Sequence, residues 1–199
     1  MDKKVIIVDV DSTMYDFLTP LYQKLRVIKP DVTHPMAVNT WGKYIEEIGS
    51  KEFYRIVNQI HEEIRLLEPF RGIKPLLDLF WCEGYTTVVA THRLPTLKQS
   101  LVEWLDHHQI HYDGIFCDTS KKTDLFNEET YLVIDDCPAT IRTAIEKGIP
   151  VWTIRYNYNL GFSPRRVGYF ENAQAMFTFA MGHWPQPGII PFKKQGGNN

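Results

Sequence analysis

Carboxylates, a threonine and a lysine stand at the ends of short apolar runs in this chain, and together they suit phosphoryl chemistry. The run VIIV leads into DVDST, which carries Asp9, Asp11, Ser12 and Thr13, and TTVVA leads into Thr91. The pair Lys121 and Lys122 precedes YLVI, which leads into Asp135 and Asp136. Phosphoryl transfer is governed by positioning and charge neutralisation. A carboxylate such as Asp9 can attack phosphorus in line and hold the group as an acyl phosphate. It needs a cation to reach a phosphate dianion, and Asp9, Asp135 and the backbone carbonyl of Asp11 offer the hard oxygen ligands that Mg²⁺ takes. Asp11, two residues further on, can protonate the leaving oxygen and then activate water. The Thr91 hydroxyl can donate to a phosphoryl oxygen, and Lys122, preferred over Lys121, supplies a compact positive charge. Asp136 reads as a supporting carboxylate that orients ligands or water.

These residues need elements that bring them to one edge. Lys4 to Val8, TTVVA, GIFC, YLVI and VWTI are compact, largely β-branched runs, the pattern of parallel strands buried on both faces. Helical patterns over Lys74 to Cys82, Leu94 to His107 and Ala139 to Lys147 lie between them, the last stopped by Gly148 as a C-cap. Alternation of this kind predicts an α/β fold with five strands in a parallel, doubly wound sheet, whose functional groups gather at the strands' C-terminal ends. The stretch from Tyr15 to Arg71 breaks the rhythm with amphipathic helical segments. It is read as a small helical cap inserted after the first strand. The expected division is a core of residues 1–16 and 72–182, a cap of residues 17–71 and a Pro- and Gly-rich tail of residues 183–199.

Composition narrows the partners. Twenty-two basic against 24 acidic residues give a net charge of −2, so no basic field holds a nucleic acid polymer or an anionic membrane. The apolar run near the N-terminus is too short for a signal segment or a membrane span. Three cysteines without CxxC spacing suggest neither a disulfide framework nor a zinc site, and a reducing cytoplasm fits them best. A homodimeric state stays open.

DVDST, TVVAT, the lysine of SKKTD and YLVIDD, in this order over Lys4 to Asp136, resemble the four motifs of the haloacid dehalogenase (HAD) superfamily. The resemblance implies a Rossmann-like core and a magnesium-dependent aspartate nucleophile, carried onto Asp9, Asp11, Thr91, Lys122 and Asp135. Asp16-Phe17, the EPFRG turn, KKT and IDDCP are similar to segments of the 5'(3')-deoxyribonucleotidases, which implies a nucleoside monophosphate as the small phosphate ester, with Phe17 and Trp41 as walls for its base. The sequence departs from that family at Ser12-Thr13, where Gly-Val is usual, and at His92, where a serine is usual. His92 and Arg93, which follow Thr91 at the same edge, are further candidates for contacting phosphate or leaving group. A response-regulator receiver would need the motifs in another order, and a silent HAD scaffold used as a binding module would be expected to lack one of the five residues. Phosphatase action on another small phosphometabolite, such as a sugar phosphate, is the main alternative.

Overall fold

A computed structural model describes residues 4–119 and 121–183. Six parallel strands form its sheet: β1 (Val5–Val8), β2 (Thr86–Thr91), β3 (Gly114–Cys117), β4 (Thr130–Ile134), β5 (Val151–Ile154) and β6 (Val167–Phe170). Their order is β3-β2-β1-β4-β5-β6, with β1 in the middle and the chain winding outward on each side of it. This is the doubly wound order, and its switch point lies at the carboxyl ends of the central strands.

The strands are buried on both faces because their side chains alternate between two cores. Ile6, Val8, Val89, Leu132 and Ile134 enter one core, and Ile7, Ala90, Val133, Val151 and Val167 enter the other. Helices α4 (Ile73–Cys82), α5 (Lys98–His107) and α7 (Ala173–His183) supply Leu76, Phe80, Leu101, Trp104 and Met176 to the first core. Helix α6 (Pro138–Glu146) supplies Ile141 and Ala144 to the second.

Between β1 and α4 run three further helices, α1 (Leu18–Ile28), α2 (Lys43–Ile48) and α3 (Ser50–Glu62). Each turns a short apolar stripe inward: Leu21 and Leu25, Tyr44, and Ile56 with Ile60. Among the described residues no strand interrupts this segment. Trp104 of α5 ties it to the sheet layer, its indole N–H donating to the Leu67 carbonyl at 2.6 Å. Gly72 ends the segment with φ of 104°, and a Cβ there would lie 2.6 Å from the backbone of Gln174 at the start of α7, so glycine alone fits.

Two expectations are corrected. The sheet has a sixth strand, β6, an edge strand whose VGYF lacks a β-branched run and carries a glycine, so its pattern was too weak to read. The helix expected over Leu94 to His107 begins at Lys98, after a 3₁₀ turn over Pro95–Leu97, and Leu94 is extended (φ −58°, ψ 137°) because a residue before proline is disfavoured in the helical region. Of the tail of residues 183–199, His183 closes α7 and the rest lies outside the described residues.

Candidate active site

Strand register brings the motif residues to one edge. Val8 of β1 pairs with Val89 of β2 and with Ile134 of β4, so Asp9 emerges level with Asp135, between the ends of both neighbours. The Asp9 N–H donates to the Ile134 carbonyl (2.8 Å), and the Asp135 N–H donates to the Trp152 carbonyl (3.1 Å), which extends the sheet pairing into the site. Thr91 closes β2, and Lys122 opens the 3₁₀ turn Lys122–Leu125 ahead of β4.

Lys122, 2% exposed, lies between two carboxylates. Its Nζ is 2.5 Å from Asp9 Oδ1 and 2.6 Å from Asp135 Oδ2. Lys121 is exposed. Asp135 Oδ1 accepts from the Cys137 N–H (2.8 Å) at the head of α6, and Asp136 Oδ2 accepts from the Tyr158 hydroxyl (2.6 Å). One oxygen each of Asp9, Asp135 and Asp136 lies within 4.8 Å of the others. Burial, opposed by Lys122 and reinforced by Asp135 and Asp11, pushes the Asp9 carboxyl up to about 7. Burial also raises Asp135, against the pull of Lys122, and holds Asp136 well above its ordinary value, aided by Asp9 and Asp135. Although burial opposes it, the charges of Asp135 and Asp9 hold Lys122 protonated.

Three buried carboxyls share one ammonium, and their hard oxygens suit a divalent cation. The residues therefore fit Mg²⁺, with Asp9, Asp135 and Asp136 as the side-chain oxygens. Lone hydroxyls add to this picture. Thr91 Oγ1 and Ser12 Oγ are buried without hydrogen-bond partners, as is unusual for polar atoms outside functional sites. Ser12 also takes a left-handed φ of 58°, where a glycine would be at ease, and its carbonyl accepts from the Tyr156 hydroxyl at 2.8 Å.

The Asp11 side chain turns to a separate set of donors. Its Oδ1 accepts from the Tyr15 hydroxyl (2.5 Å) and from Arg93 Nη2 (2.7 Å), and its Oδ2 is 2.9 Å from His61 Nε2. Burial alone would raise this carboxyl, but the Arg93 guanidinium and then His61 outweigh it and hold Asp11 well below the usual carboxylate range. Arg93 is fully buried and spends Nη2 on Asp11 and Tyr15, so it meets the site carboxylate in this arrangement. His92 is exposed, and its Nε2 accepts from the Lys122 N–H at 3.4 Å. Phe17 is 6% exposed, packed on Tyr15 and His61, whereas Trp41 is 48% exposed and meets the Tyr158 ring edge-on at 5.1 Å.

Sequence reasoning missed Tyr15, His61 and Tyr158. Tyr15 stands four residues past Asp11 in the same loop, a usable signal. His61 lies on the apolar face of α3 one residue beyond Ile60, where a histidine reads as core, and Tyr158 follows β5 in a loop with no motif.

This sheet order, with a helical segment between β1 and β2 and acidic residues at the central strand ends, is the fold of the HAD-type hydrolases. The chain is similar to CbbY from Rhodobacter sphaeroides solved in complex with phosphate, with a TM-score of 0.61 and 12% identity over 87% of this chain and 96% of that one. A mutant of the same protein was solved with xylulose-1,5-bisphosphate (TM-score 0.59, 14% identity, 86% and 95% covered). A haloacid dehalogenase-like hydrolase from Streptococcus pneumoniae aligns with a TM-score of 0.58 and 17% identity over 91% of this chain and 99% of that one. No protein-family model matches the sequence, nor does any curated protein. Among the described residues no helix is long and apolar enough to cross a membrane.

Proposed function

We propose that this chain is a magnesium-dependent phosphomonoesterase that acts on a small phosphometabolite through a phosphorylated Asp9. The observation that carries this reading is the buried Asp9, neutralised by Lys122 and flanked by Asp135 and Asp136 at the switch point of a doubly wound sheet. When bound, Mg²⁺ supplies positive charge that offsets the repulsion between Asp9 and a phosphate dianion.

Asp9 attacks phosphorus in line, a new oxygen–phosphorus bond forms, and the ester oxygen departs with the electron pair of the bond that breaks. Asp11, held ionised by Arg93 and His61 in the free protein, takes up a proton with the incoming ester and gives it to that oxygen. It then takes a proton from water, which attacks the phosphorus of the aspartyl phosphate, and inorganic phosphate leaves as the Asp9 carboxylate is restored. Lys122 holds Asp9 in place and offsets charge on the transferring group, while the Thr91 hydroxyl donates to a phosphoryl oxygen. Asp136, fixed by Tyr158, would add the third side-chain oxygen to the metal site. His92, exposed beside the Lys122 backbone, is assigned to contact the substrate.

For the substrate, the neighbour solved with a sugar bisphosphate favours a sugar phosphate or a similar metabolite. Trp41 favours a second reading, a nucleoside monophosphate. Its half-exposed indole touches Tyr158, whose hydroxyl reaches Asp136, so a flat base would have an aromatic surface near the acidic cluster. Phosphate release from a panel of sugar phosphates, nucleotides and deoxynucleotides, with Mg²⁺ and with chelator, tests both. Magnesium-dependent release supports the phosphatase reading, and the preferred member of the panel chooses between the substrates. No release from any ester would overturn it.

A further inference from the structure

We infer that His61, carried by the helical segment, is a positioning residue for Asp11, an assignment that rests on the phosphatase reading. Asp11 is held by three donors of different origin. Tyr15 belongs to the loop that carries Asp11 itself, and Arg93 follows β2, so both are parts of the sheet edge. His61 comes from the last turn of α3, fifty residues along the chain from Asp11, and reaches Oδ2 with its Nε2 at 2.9 Å.

The cost of this placement argues that it serves the site. His61 is 2% exposed, and its Nδ1 is buried without a hydrogen-bond partner. It sits beside Ile56 and Ile60 on a buried helix face and against the Phe17 ring at 5.7 Å, where leucine or methionine would pack without leaving a polar atom unpaired. What the histidine adds over an apolar side chain is one bond to Asp11. Tyr15 and Arg93 both bind Oδ1, which leaves the carboxyl free to turn about that oxygen, and the bond to Oδ2 removes this freedom. His61 thereby fixes the direction in which Asp11 presents its second oxygen. It also makes that direction depend on where α3 sits.

The test separates acid catalysis from general damage by the leaving group. A p-nitrophenolate departs without a proton, while an alkoxide needs one, and kcat/KM reports the steps through departure of that group. We compare wild type, His61→Leu, His61→Met and His61→Gln on p-nitrophenyl phosphate and on the best alkyl phosphate of the panel, with Mg²⁺. His61→Leu and His61→Met lower kcat/KM about 10- to 100-fold on the alkyl ester and by about threefold or less on the aryl ester, less than the loss of a general acid itself because Asp11 remains. His61→Gln, whose amide N–H can replace Nε2, returns the alkyl ester to within about fivefold of wild type. Equal losses on both esters, no loss on the alkyl ester, or a glutamine variant as poor as leucine would each overturn the assignment. If one apolar variant does not fold, the other and the glutamine carry the same comparison. A wild type inactive on both esters would overturn the phosphatase reading together with it, whereas an active wild type lacking the pattern removes the positioning role alone.

Discussion

Replacing Lys122 by methionine takes away the ammonium that lies 2.5 Å from Asp9 Oδ1 and 2.6 Å from Asp135 Oδ2, in a site where its side chain is 3% exposed. At an effective dielectric of about 20, each contact is worth about 6 kcal/mol of Coulomb attraction. Desolvation offsets most of that when a pair is formed, but removing one partner from a buried pair strands the other and costs about 3–5 kcal/mol. For a chain of this size that corresponds to a fall of roughly 6–20 °C in the thermal midpoint. The assay is thermal unfolding by circular dichroism at pH 8 in chelator and again in excess Mg²⁺. A divalent cation takes over neutralisation of Asp9, Asp135 and Asp136, so Mg²⁺ raises the variant's midpoint more than the wild type's. Turnover falls about 100-fold or more even with Mg²⁺, the scale of losing one charge-stabilising group. Lys121→Met, at an exposed position, stays within about 0.5 kcal/mol of wild type. A midpoint drop below about 2 °C for Lys122→Met in chelator would refute the electrostatic account of the cluster.

The raised Asp9 carboxyl sets a pH window. Its value moves from the ordinary 3.8 to about 7 through burial, with Lys122 opposing and Asp135 and Asp11 reinforcing. Between these values the folded protein holds a proton that the unfolded chain does not, so its stability falls as pH rises from about 4 to about 7. The difference between metal-free wild type and Asp9→Asn, followed by thermal melts across that range, isolates this contribution. A difference that stays flat or rises with pH contradicts the shift. Gly72→Ala forces a Cβ into the Gln174 backbone at a φ of 104° and costs about 2–4 kcal/mol, read as a lowered midpoint with turnover retained below it. An unchanged midpoint would mean that α7 does not press on this turn. Trp41→Ala raises KM for a nucleoside monophosphate more than for p-nitrophenyl phosphate if the base stacks there, and equal changes remove the nucleotide reading.

Much of the sheet edge was legible because buried parallel strands write themselves as short β-branched runs, and the residues that follow them stand out against that apolar background. DVDST, Thr91 and the Asp135-Asp136 pair are visible for that reason. The place of Lys121-Lys122 before the fourth motif marks one of the pair, and only the fold shows which of two adjacent lysines points inward. β6 escaped because an edge strand needs no continuous apolar run. His61 and Tyr158 escaped for a different reason. Their importance lies in contacts across 50 and 22 residues of sequence, and nothing in the local pattern marks a histidine on an apolar helix face or a tyrosine in a loop as a partner for a carboxylate. Arg93 was legible as a residue of the site edge, while its engagement with Asp11 comes from packing.

The claim on which the account turns is that Asp9 carries the phosphoryl group. Mass spectrometry of the protein, quenched in acid during turnover of the best substrate with Mg²⁺, reads this directly. The account predicts a hydroxylamine-labile phosphate on the peptide that contains Asp9, absent from Asp9→Asn, together with loss of turnover in that variant. A phosphate carried on another residue, or an Asp9→Asn protein that turns over as wild type does, would contradict it.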